Sequence, residues 1–322
     1  LMGQLLLSAQ DWCQADIDTV DQRSARLLFL SHLMDKFSNR IEPALISKIK
    51  TCISLDSAEL TKVFSDRGEH ASWFPGGGHS SSIDSFPAMI LAESMAGLNR
   101  EQNLNVDLSN VYVQTAGFRK IYNFPNELAG KYEAYAKYIG ALVSESVAED
   151  QREHFRNVCV ESMERSLQSI NIAKLNGEEL GWLCMASRRL PIADGLKTRL
   201  NNRLLDCCVA PGQYKVWSLP RRGLQLGSSS AYAVLLTALL DDRANRKEHR
   251  DAAKMLLSEI EKRMEDGRFD APTARSIALR AMIDFEAAYP ELAVEGKLWT
   301  EKGKTVRFQK GEPQWQLREF SR

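Results

Sequence analysis

Apolar residues recur every three or four positions along most of the chain, which is the spacing of amphipathic α-helices. The clearest case begins at Thr19 and has the apolar positions Leu27, Leu28, Leu30, Leu33, Met34 and Phe37. Threonine is a preferred helix N-cap, and Gln22 follows three residues later, at the spacing of a capping box. We therefore predict a helix that Thr19 caps and that ends near Phe37.

The same periodicity predicts about twelve helices, arranged as six consecutive hairpins. The predicted helices cover residues 2–12, 19–37, 43–64, 82–98, 126–147, 149–170, 177–190 and 192–208, then a stretch from 228 onward, 246–265 and 271–289. Helical hairpins that cannot bury both faces alone must stack or close on one another. Small residues near hairpin starts favour close packing of inner helices, and these are Ala231, Ala233, Ala274 and Ala278. We predict an all-α fold, an α6/α6 toroid, with an open solenoid as the alternative.

The pattern changes to a two-residue alternation after Glu295, which is typical of β-strands. We predict strands at 297–300, 304–309 and 314–320, with Gly303 and Gly311 in the turns between them. The predicted organisation is therefore a helical toroid over residues 1–292 and a short β-rich segment over residues 293–322.

The composition argues against nucleic acid and membranes as partners. Lysine plus arginine and aspartate plus glutamate number 42 each, so no net charge draws the chain to nucleic acid or anionic membrane. No apolar run approaches the length of a membrane span. The six cysteines have no metal-type spacing and are predicted to be free core residues. Because the chain starts at Leu1 and shows no signal-peptide pattern, we expect either a processed product or an excised piece of a longer protein.

The start of the second predicted helix resembles the thioester motif of the α2-macroglobulin and complement family, in which a helix opens with Cys-x-Glu-Gln. The matching residues are Thr19, Val20, Asp21 and Gln22, followed in register by Arg26. Thr19 stands at the cysteine position and Asp21 at the glutamate position. A hydroxyl is a much weaker nucleophile than a thiolate, so the resemblance implies a site that has lost its thioester.

Two further stretches resemble the same family. A loop rich in aromatic residues and glycine matches one that precedes a helix in bacterial members; it contains Trp73, Phe74, Pro75, Gly76, Gly77 and Gly78. An aromatic pair can plug the end of a helical barrel while glycines turn the backbone over it. The loop is not a P-loop, because no Lys-Ser/Thr follows it. Residues 231–239 and 266–281 match two later helical blocks of the family, in the same order.

The resemblance implies a fragment of a bacterial macroglobulin-like endopeptidase inhibitor that traps proteases without covalent capture. On this reading the chain is a structural and protein-docking module and not an enzyme, and it uses no cofactor. Its partners are proteases or other proteins and the remaining macroglobulin domains of the parent chain. The implied location is the periplasm, the cell surface or the exterior, and the β-rich segment returns to a CUB-like or a following β-domain.

A toroid that acts on carbohydrates, as a lyase or glycosidase, is the alternative from another class. Such an enzyme needs two carboxylates facing one cleft, and the candidates are Asp66, Asp84, Glu178 and Glu179. Helix caps and solvated charges explain these residues equally well. The pair Asp241-Asp242 is predicted to end a helix. A third possibility is a bare helical-repeat scaffold with an elongated shape.

Overall fold

The computed structural model of the chain describes residues 1–17, 19–67, 126–145, 149–209, 228–267, 269, 272–290, 297–299 and 305–307. These residues are almost entirely helical, which confirms the predicted all-α class. Ten α-helices lie in the described ranges: α1 Met2–Gln14, α2 Val20–Phe37, α3 Pro43–Arg67, α4 Asn126–Ser144, α5 Glu149–Ser169, α6 Gly177–Arg189, α7 Asp194–Val209, α8 Ser228–Asp241, α9 Arg250–Glu265 and α10 Pro272–Ala288. Short 3-10 helices occupy Ser38–Arg40, Ile172–Lys174 and Arg243–Asn245.

Local sequence explains where several of these helices begin and end. Asn176 and Glu179 form a capping box, in which each side chain accepts a hydrogen bond of 2.9 Å from the other residue's backbone N–H. Gly267 follows α9 with a φ of 68°, a conformation that favours glycine. The helix predicted over 246–265 begins later than expected, at Arg250, because residues 246–249 form turns.

Five of the helices form a row. In this row α4 packs on α6, α6 on α8, α8 on α10, and α10 on α2, so the first and last parts of the chain become neighbours. The remaining helices pack against the row: α5 on α4, α7 on α6, α9 on α8 and α10, α3 on α2, and α1 on α10 and α3. Helices α6, α8 and α10 are buried on nearly every side, whereas α5 and α9 expose one face. The result is two layers of helix with the apolar core between them.

Small residues allow the row to pack closely, as the sequence predicted. Ala231, Ala233, Ala274 and Ala278 are all buried. The tightest approach is at Gly181 of α6, where an added Cβ would lie 2.7 Å from Val234 Cγ1 and 3.1 Å from the Val234 carbonyl oxygen of α8. Glycine at this position therefore lets the backbones of α6 and α8 come together.

Two short strands, β1 Lys297–Trp299 and β2 Thr305–Arg307, pair antiparallel, with Leu298 opposite Val306. Their positions match the first two predicted strands. The third predicted strand at 314–320 and the predicted helix at 82–98 lie outside the described residues. The division at residue 292 and the β-rich character of the whole 293–322 segment remain predictions.

Candidate functional site

The motif residues Thr19 and Gln22 lie at the first turn of α2. Thr19 has an extended backbone, and its Oγ1 accepts a hydrogen bond of 3.2 Å from the Gln22 backbone N–H. The predicted N-cap is therefore confirmed, and the Thr19 hydroxyl satisfies one of the free donors of the helix. The side chains of Val20 and Asp21 are outside the described part of the structure.

An ion pair that the sequence analysis did not find lies about two turns beyond this cap. Arg26 of α2 binds Asp56 of α3 through two hydrogen bonds, from Nε at 2.7 Å and from Nη2 at 2.8 Å. Arg23 contacts the same carboxylate at 3.2 Å. Arg26 also donates to the carbonyl oxygens of Trp12 at 3.2 Å and Ala15 at 3.5 Å, at the end of α1. Its hydrogen bond to Asp56 is the largest of the effects that raise the pKa of Arg26, although burial acts against it.

Most of the other sequence candidates fall into two groups. The loop residues Trp73, Phe74, Pro75, Gly76, Gly77 and Gly78 lie outside the described residues, as does Asp84. Glu179 belongs to the capping box of α6, and Glu178 is buried and accepts a hydrogen bond from Ser230 Oγ of α8. These two glutamates therefore hold the N-terminal ends of α6 and α8. Asp66 lies in the last turn of α3.

Helix α8 ends at Asp241, as predicted, and the two aspartates there bind basic side chains. Arg189 donates to both oxygens of Asp241, at 2.9 and 3.1 Å. Asp242 lies 3.3 Å from His249 Nε2. Burial would raise the pKa of Asp242, but Asn245, Arg188 and His249 together hold it below its ordinary value.

An aromatic–arginine cluster lies on the row of five helices. Its members are Tyr135 and Tyr138 of α4, Trp182 and Arg189 of α6, and Arg280 of α10. The Trp182 ring lies 4.5 Å from that of Tyr135 and 5.0 Å from that of Tyr138, measured between centroids. Arg280 Nη2 donates to the Tyr138 hydroxyl at 2.8 Å. No sequence motif indicated this cluster, because its members are far apart in sequence; Tyr138 and Arg280, for example, are 142 positions apart.

The cysteines are all free, and most of them lie in the core. All six lie in the described residues and none forms a disulfide; four are buried and Cys13 and Cys207 are partly exposed. Burial raises the pKa of Cys184 to about 12, so its thiol stays protonated at neutral pH. Within the described ranges, no group of three or more His, Cys, Asp or Glu side chains could hold a metal ion.

Comparisons with known proteins add no identification: no family model and no curated protein matches the chain. None of the helices that the structure describes is long and apolar enough to cross a membrane.

Proposed function

We propose that the chain is the thioester-domain-like part of a bacterial macroglobulin-like protease trap that has lost covalent capture. The observation that carries this proposal is the position of Thr19. It stands where the motif has cysteine, at the opening of a helix of the five-helix row, and its Oγ1 accepts the Gln22 backbone N–H. In this geometry the hydroxyl has a structural task, and a threonine hydroxyl is in any case a poor nucleophile.

The proposed toroid is supported by one long-range hydrogen bond. Packed helices lie about 8–10 Å apart, so a straight row would separate the axes of its first and fourth members by about 24–30 Å. Tyr138 and Arg280 come from the first and fourth helices, α4 and α10, yet their side chains meet at 2.8 Å. The row must therefore curve so that α4 and α10 face each other, which favours a ring over the extended solenoid. Helix α2 packs on α10 and is the fifth helix of this curved row.

The motif helix is also firmly held, as suits a docking module. The Arg26–Asp56 pair joins α2 to α3, and the bonds from Arg26 to Trp12 and Ala15 join it to α1. Arg26 is the residue that matches the arginine of the family motif. Its role in this chain is to fix the turn that leads into the motif.

The carbohydrate-active alternative is less well supported. It requires two carboxylates facing an open cleft, but Glu179 is a helix cap and Glu178 is only 3% exposed and bonded to Ser230. The side of the row where α4 faces α10 is occupied by the aromatic–arginine cluster. Asp66 and Asp84 remain as its candidates.

The test uses the full-length parent protein mixed with a broad-specificity protease. We expect the protease to keep its activity on a small peptide and to lose it on a large protein substrate, because a physical cage excludes only large substrates. A denaturing gel is expected to show no covalent adduct. Unchanged activity on both substrates would reject the inhibitor proposal, and substituting Asp84 would then test the enzyme alternative.

The lost covalent chemistry is tested separately with methylamine and mass spectrometry of the Gln22 peptide. We expect no adduct in the natural protein, and an adduct there would reject the loss. A Thr19→Cys variant shows whether the nucleophile is all that is missing: an adduct in this variant alone would mean that the surrounding site is intact.

A further inference from the structure

Arg280 lies on α10, the fourth helix of the curved row, at the point where α10 meets the first helix, α4. Arg280 is 9% exposed and Tyr138 is 1% exposed, and Nη2 of Arg280 donates to the Tyr138 hydroxyl. The guanidinium carbon also lies 5.8 Å from the Tyr138 ring centroid. One buried side chain on α10 therefore reaches α4, although α6 and α8 lie between these two helices in the row.

The same guanidinium is linked to α2, on the other side of α10, through the carboxylate of Asp284. Nε of Arg280 lies 4.0 Å from Oδ2 of Asp284, and Oδ1 of Asp284 lies 2.7 Å from Nε2 of His32 on α2. Tyr138 and Arg280 share one hydrogen bond, His32 and Asp284 share another, and the longer Arg280–Asp284 ion pair on α10 links the two. This series of contacts begins on α4, passes through α10 and ends on α2.

Aromatic contacts fix the α4 end of this series. Trp182 packs against Tyr138, and Arg189 of α6 lies over the Tyr138 ring at 5.4 Å. Arg189 is itself bonded to Asp241 of α8, so the ring of Tyr138 is held by α6 and, through Arg189, by α8. A side chain restrained on so many sides has few alternative positions, which favours an all-or-none contact.

We propose that Tyr138, Arg280, Asp284 and His32 form a clasp that makes helices α2, α4 and α10 open together. Separating α2 from α10 pulls on Asp284, and through Arg280 it disturbs Tyr138, because a buried guanidinium that loses a partner is left poorly solvated. The clasp makes the contact between α2 and α10 part of one cooperative unit with α4.

A double-mutant cycle between the two ends of the clasp tests this inference, since no direct contact joins Tyr138 to His32 among the bonds of the described residues. The variants are Tyr138→Phe, which removes one hydroxyl, and His32→Gln, which keeps a hydrogen-bonding group. Native-state amide hydrogen exchange in α2, α4 and α10 is measured for each single variant and for the double variant. Residues without shared partners act additively, whereas members of one network do not.

The clasp predicts that each single variant accelerates exchange in all three helices, including the helix at the far end. The factor by which exchange is accelerated in the double variant should differ from the product of the two single-variant factors by at least about twofold. Repeating the cycle in an Arg280→Met background should remove this difference, and failure of that variant to fold leaves the first cycle decisive. Ile260→Val, in the core of α9, is the control for general destabilisation and should not reproduce the pattern. The proposal would be overturned if the acceleration in the double variant equalled the product of the single-variant accelerations. It would also be overturned if exchange accelerated only in the substituted helix.

Discussion

The guanidinium of Arg26 and the carboxylate of Asp56 form a paired ion bridge, with Nε–Oδ2 at 2.7 Å and Nη2–Oδ1 at 2.8 Å. Asp56 is completely buried, and Arg26 nearly so. Because Arg26 also donates to Trp12, the bridge joins the first three helices of the chain at one point. The start of α2, which carries the candidate motif, is positioned by this bridge.

Substituting Asp56 should therefore destabilise the protein strongly. Asp56→Asn leaves the Arg26 guanidinium buried without its countercharge, and breaking a buried pair in this way costs about 3–5 kcal/mol. The expected result is a lower midpoint in chemical denaturation, followed by helical circular dichroism. Asp35→Asn is the matched control, since Asp35 pairs with Lys36 at the surface and an exposed pair contributes less than about 1 kcal/mol. Equal losses in the two variants would contradict the structural role given to Arg26–Asp56.

The close approach of α6 and α8 gives a second prediction. In Gly181→Ala the new methyl group would collide with Val234, so we expect a loss of about 1–3 kcal/mol from overpacking. The sign of this stability change is informative, because helix propensity alone would make alanine more stable than glycine by about 1 kcal/mol. Gly3→Ala, where nothing lies within 4 Å of the added Cβ, should cause no loss. If Gly181→Ala proves as stable as Gly3→Ala in thermal unfolding, α6 and α8 are farther apart than the structure has them.

The local parts of this structure were predictable from sequence, whereas the long-range contacts were not. The Thr19 cap and the burial of Ala231 and Ala278 follow from residue type and helical spacing, which act over a few residues. The pairs Arg26–Asp56 and Tyr138–Arg280 join residues 30 and 142 positions apart. Periodicity shows which face of a helix is buried but not which other face it meets, so these charged and aromatic partners had no local signal.

The N-cap of α2 gives a third prediction. Thr19→Ala removes the oxygen that accepts from the Gln22 backbone, and loss of such a cap costs about 1 kcal/mol. Thr19→Ser keeps the hydroxyl and should retain most of the stability. Gln22→Ala is a second control, because the donor is the backbone N–H and survives the substitution. Denaturant titration of the three variants checks this order, and a Thr19→Ala variant as stable as the natural chain would mean that the cap contributes nothing.

Acid should weaken the α2–α10 seam through Asp284. Burial alone would raise the pKa of this carboxyl, but His32, Arg280 and Lys36 together hold it below its ordinary value. A carboxyl with a lower pKa in the folded state stabilises the fold above the unfolded-state pKa, near 3.9, and this stabilisation is lost as the pH falls through the folded-state value. Unfolding free energies of the natural chain and of Asp284→Asn should therefore differ clearly at pH 6 and converge below about pH 4. The comparison cancels the other carboxyls, which titrate in both proteins, so a difference that stays constant from pH 6 to the acid limit would show that Asp284 is not held ionised by its neighbours.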